Sequence, residues 1–344
     1  MSKPILVIKF GTASITRENG DLDETVIAGI ARQVAELHAS YHIVLVSSGA
    51  VAAGRQFLKN YSGSISERKA AAAIGNPLLL SKYSKYFAPY DIAVAQSLCE
   101  RHHFSNREQF LQLKRTYEEL WENNIIPIAN ENDVVSNTEL KFSDNDELAT
   151  LIAVGFGATQ LLFSTSVAGV LDRDGNVVPK LDVIDQQALG LADKEKSALG
   201  LGGMVSKLTF ARLATRMGIQ VVIFGIRTTD GILNAISGNT GTLCLPQPCS
   251  MPARRKWLAS GSLVTGRILV DAGAEQALAS RHSLLAVGIK EVLEKFEEGE
   301  VIEIVNENNI AVAVGRAKLS SDVLEKSGRQ QNTEVAHADD IVLL

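Results

Sequence analysis

Six short apolar runs recur through the first two-thirds of the chain: PILVIKF, HIVLVSS, DIAVAQ, IIPIAN, TQLLFST and IQVVIFG. Between them lie segments of helical period: DETVIAGIARQVAELHAS, a region from about Glu67 to Phe87, another from about Asn106 to Asn123, and helices from about Asn145 to Gly155 and Met204 to Met217. Strand and helix in alternation dictate an α/β fold. The runs are apolar almost throughout rather than at every second position, as strands are when helices cover both faces of a sheet. The expected centre is a three-layer, mainly parallel sheet covered by helices.

At 344 residues the chain is long enough for two domains of unequal size. The pattern breaks at PQPCSMPARRK, Pro246 to Lys256, where prolines and basic residues replace periodic segments. This divides the sequence into a first domain at 1–245, a linker at 246–256 and a second domain at 257–344. In the second, RILVD, LLAVGIKEV, VIEIV and IAVAVGRA read as short strands, and GAEQALAS is the one good helix, so a small β-rich domain is expected.

No apolar run approaches the twenty residues needed to cross a bilayer. MSKPILVIKFGT lacks the pattern of a secretory signal, so a cytoplasmic location is expected. Cys99, Cys244 and Cys249 form no metal-binding spacing and read as buried or idle thiols. A formal net charge of −5 argues against a whole-molecule grip on nucleic acid and leaves room only for a local basic patch.

Lys9 and Gly11 stand at the carboxyl end of the first strand, where α/β proteins bind their ligands. A lysine in an apolar strand is costly unless paired or in contact with a ligand. The second strand ends in Ser47, Ser48, Gly49 and Ala50 before a helix, whose first amides can face an anion. GLGGMVSK, residues 200 to 207, resembles a phosphate cradle in kind but is not a Walker A sequence. NENDVVSNTELKFSDNDELA, residues 130 to 149, crowds acids and amides between a buried strand and a helix. It has no glycine for an EF-hand turn, and Ser143 or Asp144 suits an N-cap.

Together IKFGTASIT, VLVSSGAVAAGR, NNIIPIANENDVV, FSDNDELATLIA, GLGGMVSK and, after the linker, RRKWLASG with GRILVDAGAEQAL span almost the whole chain. Their order and spacing resemble the amino acid kinase superfamily, in the branch that phosphorylates glutamate and carries a C-terminal PUA domain. The resemblance implies transfer of the ATP γ-phosphoryl group to the side-chain carboxylate of L-glutamate, the first step of proline biosynthesis. Mg2+ would enter with ATP, without a metal site of the protein's own. It implies Lys9, Lys207 and Asp146 as catalytic residues, the lysines on the phosphates and Asp146 orienting both. Ser48, Asp133 and Asn145 fall to glutamate, with Gly49 and Ala50 offering amides and Asp133 the partner of the ammonium. The nucleotide falls to Lys9, Gly11, Thr165, Ser166 and the run Gly200, Leu201, Gly202, Gly203, Met204, Val205, Ser206 and Lys207.

The sequence departs from that branch in STSVAG, which gives Thr165 and Ser166 where Thr-Asp is usual, in GVLDRDGN, and at Leu201 where threonine is common. The resemblance further implies proline as a feedback inhibitor and a homo-oligomer. Two alternatives are a kinase of another amino acid such as aspartate, and an RNA-binding or regulatory protein acting through the PUA domain. For RNA binding, Arg254, Arg255, Lys256 and Arg267 give a modest basic neighbourhood, but Trp257 and Phe296 are too few for an aromatic platform.

Overall fold

The computed structural model describes residues 3–17, 19–105, 107–135, 144–191, 203–248, 264–327 and 333–343. The chain divides into two compact units, Met1–Glu100 with Leu113–Cys249, and Arg101–Gln112 with Ser250–Leu344.

In the first unit eight strands form one sheet: β1 (Ile5–Phe10), β2 (His42–Ser47), β3 (Ala93–Cys99), β4 (Ile125–Glu131), β5 (Gln160–Thr165), β6 (Lys180–Leu181), β7 (Gln220–Gly225) and β8 (Thr242–Cys244). Their order is β3-β4-β2-β1-β5-β7-β8-β6. Pairings from β3 through β7 are all parallel, and β8 runs antiparallel to β7. From β1 the chain proceeds to β2 on one side, and from β5 to β7 on the other. The adjacent carboxyl ends of β1 and β5 therefore form the crevice where sheets of this kind bind ligands. Leu6, Ile8, Phe10, Ile43, Leu45, Leu162 and Val222 belong to a core that joins the sheet to its helices.

Some helices begin at side-chain caps that the sequence offers. Asp23 accepts from the amides of Thr25 and Val26 at the start of Glu24–His38, and Ser64 and Glu67 form a capping box for Ile65–Phe87. Asp144 caps Asn145–Phe156, which Gly157 ends at φ 79°. Ser143, the other N-cap candidate, lies outside the described residues. The helices Ala50–Arg55 and Ile65–Phe87 cross at backbone contact. A Cβ on Gly75 would stand 1.7 Å from the Ala50 carbonyl oxygen, and one on Gly54 would stand 1.9 Å from that of Ala71.

Expectation and structure differ in places. DIAVAQ was expected to be covered on both faces, but β3 is the outermost strand and only its Cys99 is buried. Its small alanines suit an edge with less packing on it. Cys99 and Cys244 are buried thiols, and Cys249 lies outside the described residues.

In the second unit a sheet of order β11-β9-β12-β13-β15 is built from β9 (Val264–Val270), β11 (Ile289–Glu294), β12 (Val301–Val305), β13 (Ala311–Arg316) and β15 (Ile341–Leu343). β10 (Leu284–Leu285) pairs with β14 (Glu334–Ala336). Ile268, Val270, Ile302 and Ile304 anchor a separate core. Ala272–Ala279 is the expected helix, and Ser321–Ser327 is a second one that the sequence reading missed. Seven residues give too few turns for a periodic signal.

Candidate active site

The carboxyl ends of β1, β2, β4 and β5 open into a cleft of about 720 Å³. Lys9 reaches it from β1 and Lys207 from the first turns of the helix Met204–Arg216. Both end on one carboxylate: Lys9 Nζ stands 2.5 Å from Asp146 Oδ1, and Lys207 Nζ donates to Asp146 Oδ2 at 2.9 Å. Lys9 is 3% exposed, Lys207 6% and Asp146 0%. Burial holds the Lys9 pKa below its ordinary 10.5; Asp146 opposes this shift and Lys207 adds to it. At Asp146 burial acts to raise the pKa, but the two ammonium groups outweigh it and keep the carboxyl below 3.8.

The residue before Asp146 belongs to a different kind of network. Asn145 Nδ2 donates to Ser48 Oγ at 2.8 Å and to Asn130 Oδ1 at 2.9 Å. Asn130 Nδ2 donates to Asn76 Oδ1 at 3.0 Å. The backbone N–H of Glu131, which cannot reverse its role, donates to Asn130 Oδ1 at 3.0 Å and to Asn145 Oδ1 at 3.3 Å. That amide fixes the direction of the whole chain. Ser48 therefore receives a hydrogen bond, and its own proton is left to be given away in the cleft.

Of the residues named from sequence, Lys9, Gly11, Ser48, Gly49, Ala50, Asp133, Asn145, Thr165, Ser166, Gly203, Met204 and Lys207 all line this cleft. Asp146 lies beneath the surface. Val205 and Ser206 are not in the lining; Val205 is exposed, and the Ser206 hydroxyl donates to Asp144, which also caps the helix. Gly200, Leu201 and Gly202 lie outside the described residues, as do the basic and aromatic residues Arg254, Arg255, Lys256 and Trp257. Gly49 adopts φ 103°, and a Cβ there would stand 3.0 Å from Ile15 Cδ1, so the turn into the short helix requires glycine. GVLDRDGN closes as a tight turn in which Asp172 accepts from the amides of Asp174 and Asn176, both at 2.9 Å.

Sequence reading did not single out Asn76, Asn130, Arg55, Tyr61 or Arg68. Asn130 had a usable signal, since it is a polar residue ending an apolar strand, as Lys9 is. Asn76 had none, because it enters the network only through the Gly54–Gly75 helix crossing. Among the described residues no group of three or more His, Cys, Asp or Glu is arranged to hold a metal ion.

The sequence profile of the amino acid kinase family matches residues 4–225, and that of the PUA domain matches residues 266–338. The chain belongs to the amino acid kinase family. A glutamate 5-kinase of Pasteurella multocida (strain Pm70) is 34% identical over 362 residues, with 98% of each chain covered. Another, of Citrifermentans bemidjiense, is 36% identical over 363 residues, covering 98% of this chain and 97% of that one. Within the family the chain thus groups with the glutamate 5-kinases. A Giardia carbamate kinase structure aligns over 72% of this chain and 100% of its own, with TM-score 0.51 and 19% identity, a likeness of fold alone.

Proposed function

We propose that the protein transfers the γ-phosphoryl group of ATP to the side-chain carboxylate of L-glutamate, giving L-glutamyl 5-phosphate and ADP, the first step of proline biosynthesis. The observation that carries this reading is the pair Lys9 and Lys207 on one buried carboxylate. In the transfer a carboxylate oxygen forms a bond to the γ-phosphorus as the bond to the β,γ-bridging oxygen breaks, and the leaving electrons stay on ADP. Two anions must meet, so the reaction needs neutralised charge and alignment rather than a covalent intermediate on the protein. Lys9 and Lys207 supply the positive charge, and Asp146 holds both ammonium groups in position. A divalent cation, Mg2+ in this reading, would shield the phosphates.

For the acceptor, Asp133 provides the counter-charge to the α-ammonium, and Ser48 offers its proton to a carboxylate. Gly11, Thr165, Ser166, Gly203 and Met204 stand on the nucleotide side of the same reading. Proline inhibition overlapping the glutamate region, self-association and a cytoplasmic location belong to it as well, supported by the resemblance to glutamate 5-kinases. No helix among the described residues is long and apolar enough to cross a membrane. RNA binding as the main role is disfavoured by charge: residues 264–344 hold fourteen Asp and Glu against eight Lys and Arg.

The test is amino-acid-dependent ADP release with Mg2+ and ATP. L-glutamate should be used far better than N-acetyl-L-glutamate, whose nitrogen is neutral, or L-aspartate, which is one methylene too short. Preference for either analogue, or no stimulation by any of the three, would defeat the reading.

A further inference from the structure

We propose that Arg68 reads the α-carboxylate of the amino-acid substrate, an inference that rests on the glutamate reading above. Glutamate has two carboxylates and one ammonium. With the side-chain carboxylate at the phosphoryl group and the ammonium at Asp133, the second carboxylate still needs a counter-charge, since an anion taken from water without one is costly.

Among the described residues four cations line the cleft: Lys9, Arg55, Arg68 and Lys207. Three are committed. Lys9 and Lys207 share Asp146, and Arg55 donates to the Asn19 carbonyl oxygen at 3.0 Å. Among the described residues the side chain of Arg68 takes part in no hydrogen bond or ion pair, while its backbone N–H donates to Ser64 O at 2.9 Å.

Local structure gives Arg68 no other purpose. It follows directly on the Ser64–Glu67 capping box, in the early turns of the helix Ile65–Phe87, where the helix dipole disfavours a cation. Its neighbours three and four residues away are Ile65, Ala71, Ser64 and Ala72, so no carboxylate on the helix pairs with it. Glu67 is turned to the amides of Ser62 and Ser64.

The helix carrying Arg68 is fixed on the amino-acid side of the cleft. Its Gly75 packs on Ala50, and its Asn76 holds Asn130 and through it Asn145 and Ser48. A guanidinium presents two parallel N–H groups that match a carboxylate, and a neutral carboxamide cannot answer both.

The experiment is a residue-by-substrate cycle: L-glutamate and L-isoglutamine, its α-carboxamide, with the parent, Arg68→Gln and Arg68→Lys. Arg68→Gln should raise KM for glutamate about 10-fold to 10²-fold, the range of a hydrogen bond to a charged group. KM for ATP and the weak use of isoglutamine should stay as in the parent, and Arg68→Lys should recover part of the loss. An unchanged glutamate KM in Arg68→Gln, or an equal loss for both substrates, overturns the inference and leaves the glutamate reading standing. Parent protein that glutamate does not stimulate overturns both. The thermal midpoint of each variant, read alongside, should match the parent because the side chain is exposed and unpaired.

Discussion

Asn145 and Asp146 are neighbours on one helix, yet they anchor opposite kinds of chemistry. Asp146 gathers the side chains of Lys9 and Lys207 in a buried ionic cluster. Asn145 joins a neutral chain, from Asn76 through Asn130 to Ser48, whose direction a backbone amide sets. A buried ionic cluster carries a desolvation cost that an apolar or neutral arrangement avoids, so its presence argues for a role beyond stability. Phosphoryl transfer is such a role, because the charge it moves must be met by charge already in position. The neutral chain has no movable charge to offer. What it provides is one hydroxyl held as a donor, which is a device for recognition.

The largest expected effect separates the two directly. Asp146→Asn should cut kcat by about 10³-fold or more, since both lysines lose their common counter-charge. It should also destabilise the fold by about 3–5 kcal/mol, the usual result of leaving buried charges unpaired. Turnover and a denaturant melt check both. The pH dependence has a definite sign. Because the folded pKa of Asp146 is lowered, its contribution to stability is fully present above 3.8 and is lost as pH falls through the lower folded value. Stability measured down that acid limb should lose this part of its slope in Asp146→Asn.

A smaller effect lies at high pH. Lys9 titrates below 10.5, so kcat should fall as pH rises toward that value, earlier than an unperturbed lysine would allow. A flat alkaline limb would remove Lys9 from the chemistry. The smallest effect is expected at the far end of the neutral chain. Asn76→Leu leaves the buried Asn130 NH2 group without its acceptor, and should cost about 1–3 kcal/mol of stability. Because Glu131 N–H still sets the polarity, kcat should stay within about twofold of the parent. A collapse of kcat would mean that the two networks are not separate.

Much of the charged part was legible in sequence. A lysine ending an apolar strand and a lysine in the first helical turns after a glycine-rich loop each break a local rule, whereas Asp146 was named through resemblance, since an acid in the first turn of a helix is where the dipole favours it. Such breaks are visible without a structure. Asp144, anticipated as a cap, proves to be one. The neutral part was only half legible. Ser48 and Asn145 were named through resemblance; Asn130, a polar residue closing an apolar strand, carried a signal that was not used, and Asn76, within a helix, carried none. The crossing of Gly54 and Gly75 that brings Asn76 into reach is a contact between two helices, and periodicity describes one helix at a time. Short elements such as β6, β8 and β14, of two or three residues each, are too short to show a period.

The central claim is that the ionic cluster performs the transfer and the neutral chain recognises the acceptor. Its most direct test compares Lys207→Ala with Ser48→Ala in steady-state kinetics on ATP and L-glutamate. The account predicts that Lys207→Ala lowers kcat by about 10²-fold to 10³-fold with little change in KM for glutamate. Ser48→Ala should instead raise KM for glutamate about tenfold with kcat largely kept. If both variants moved the same parameter by similar factors, the division of labour within the cleft would be contradicted.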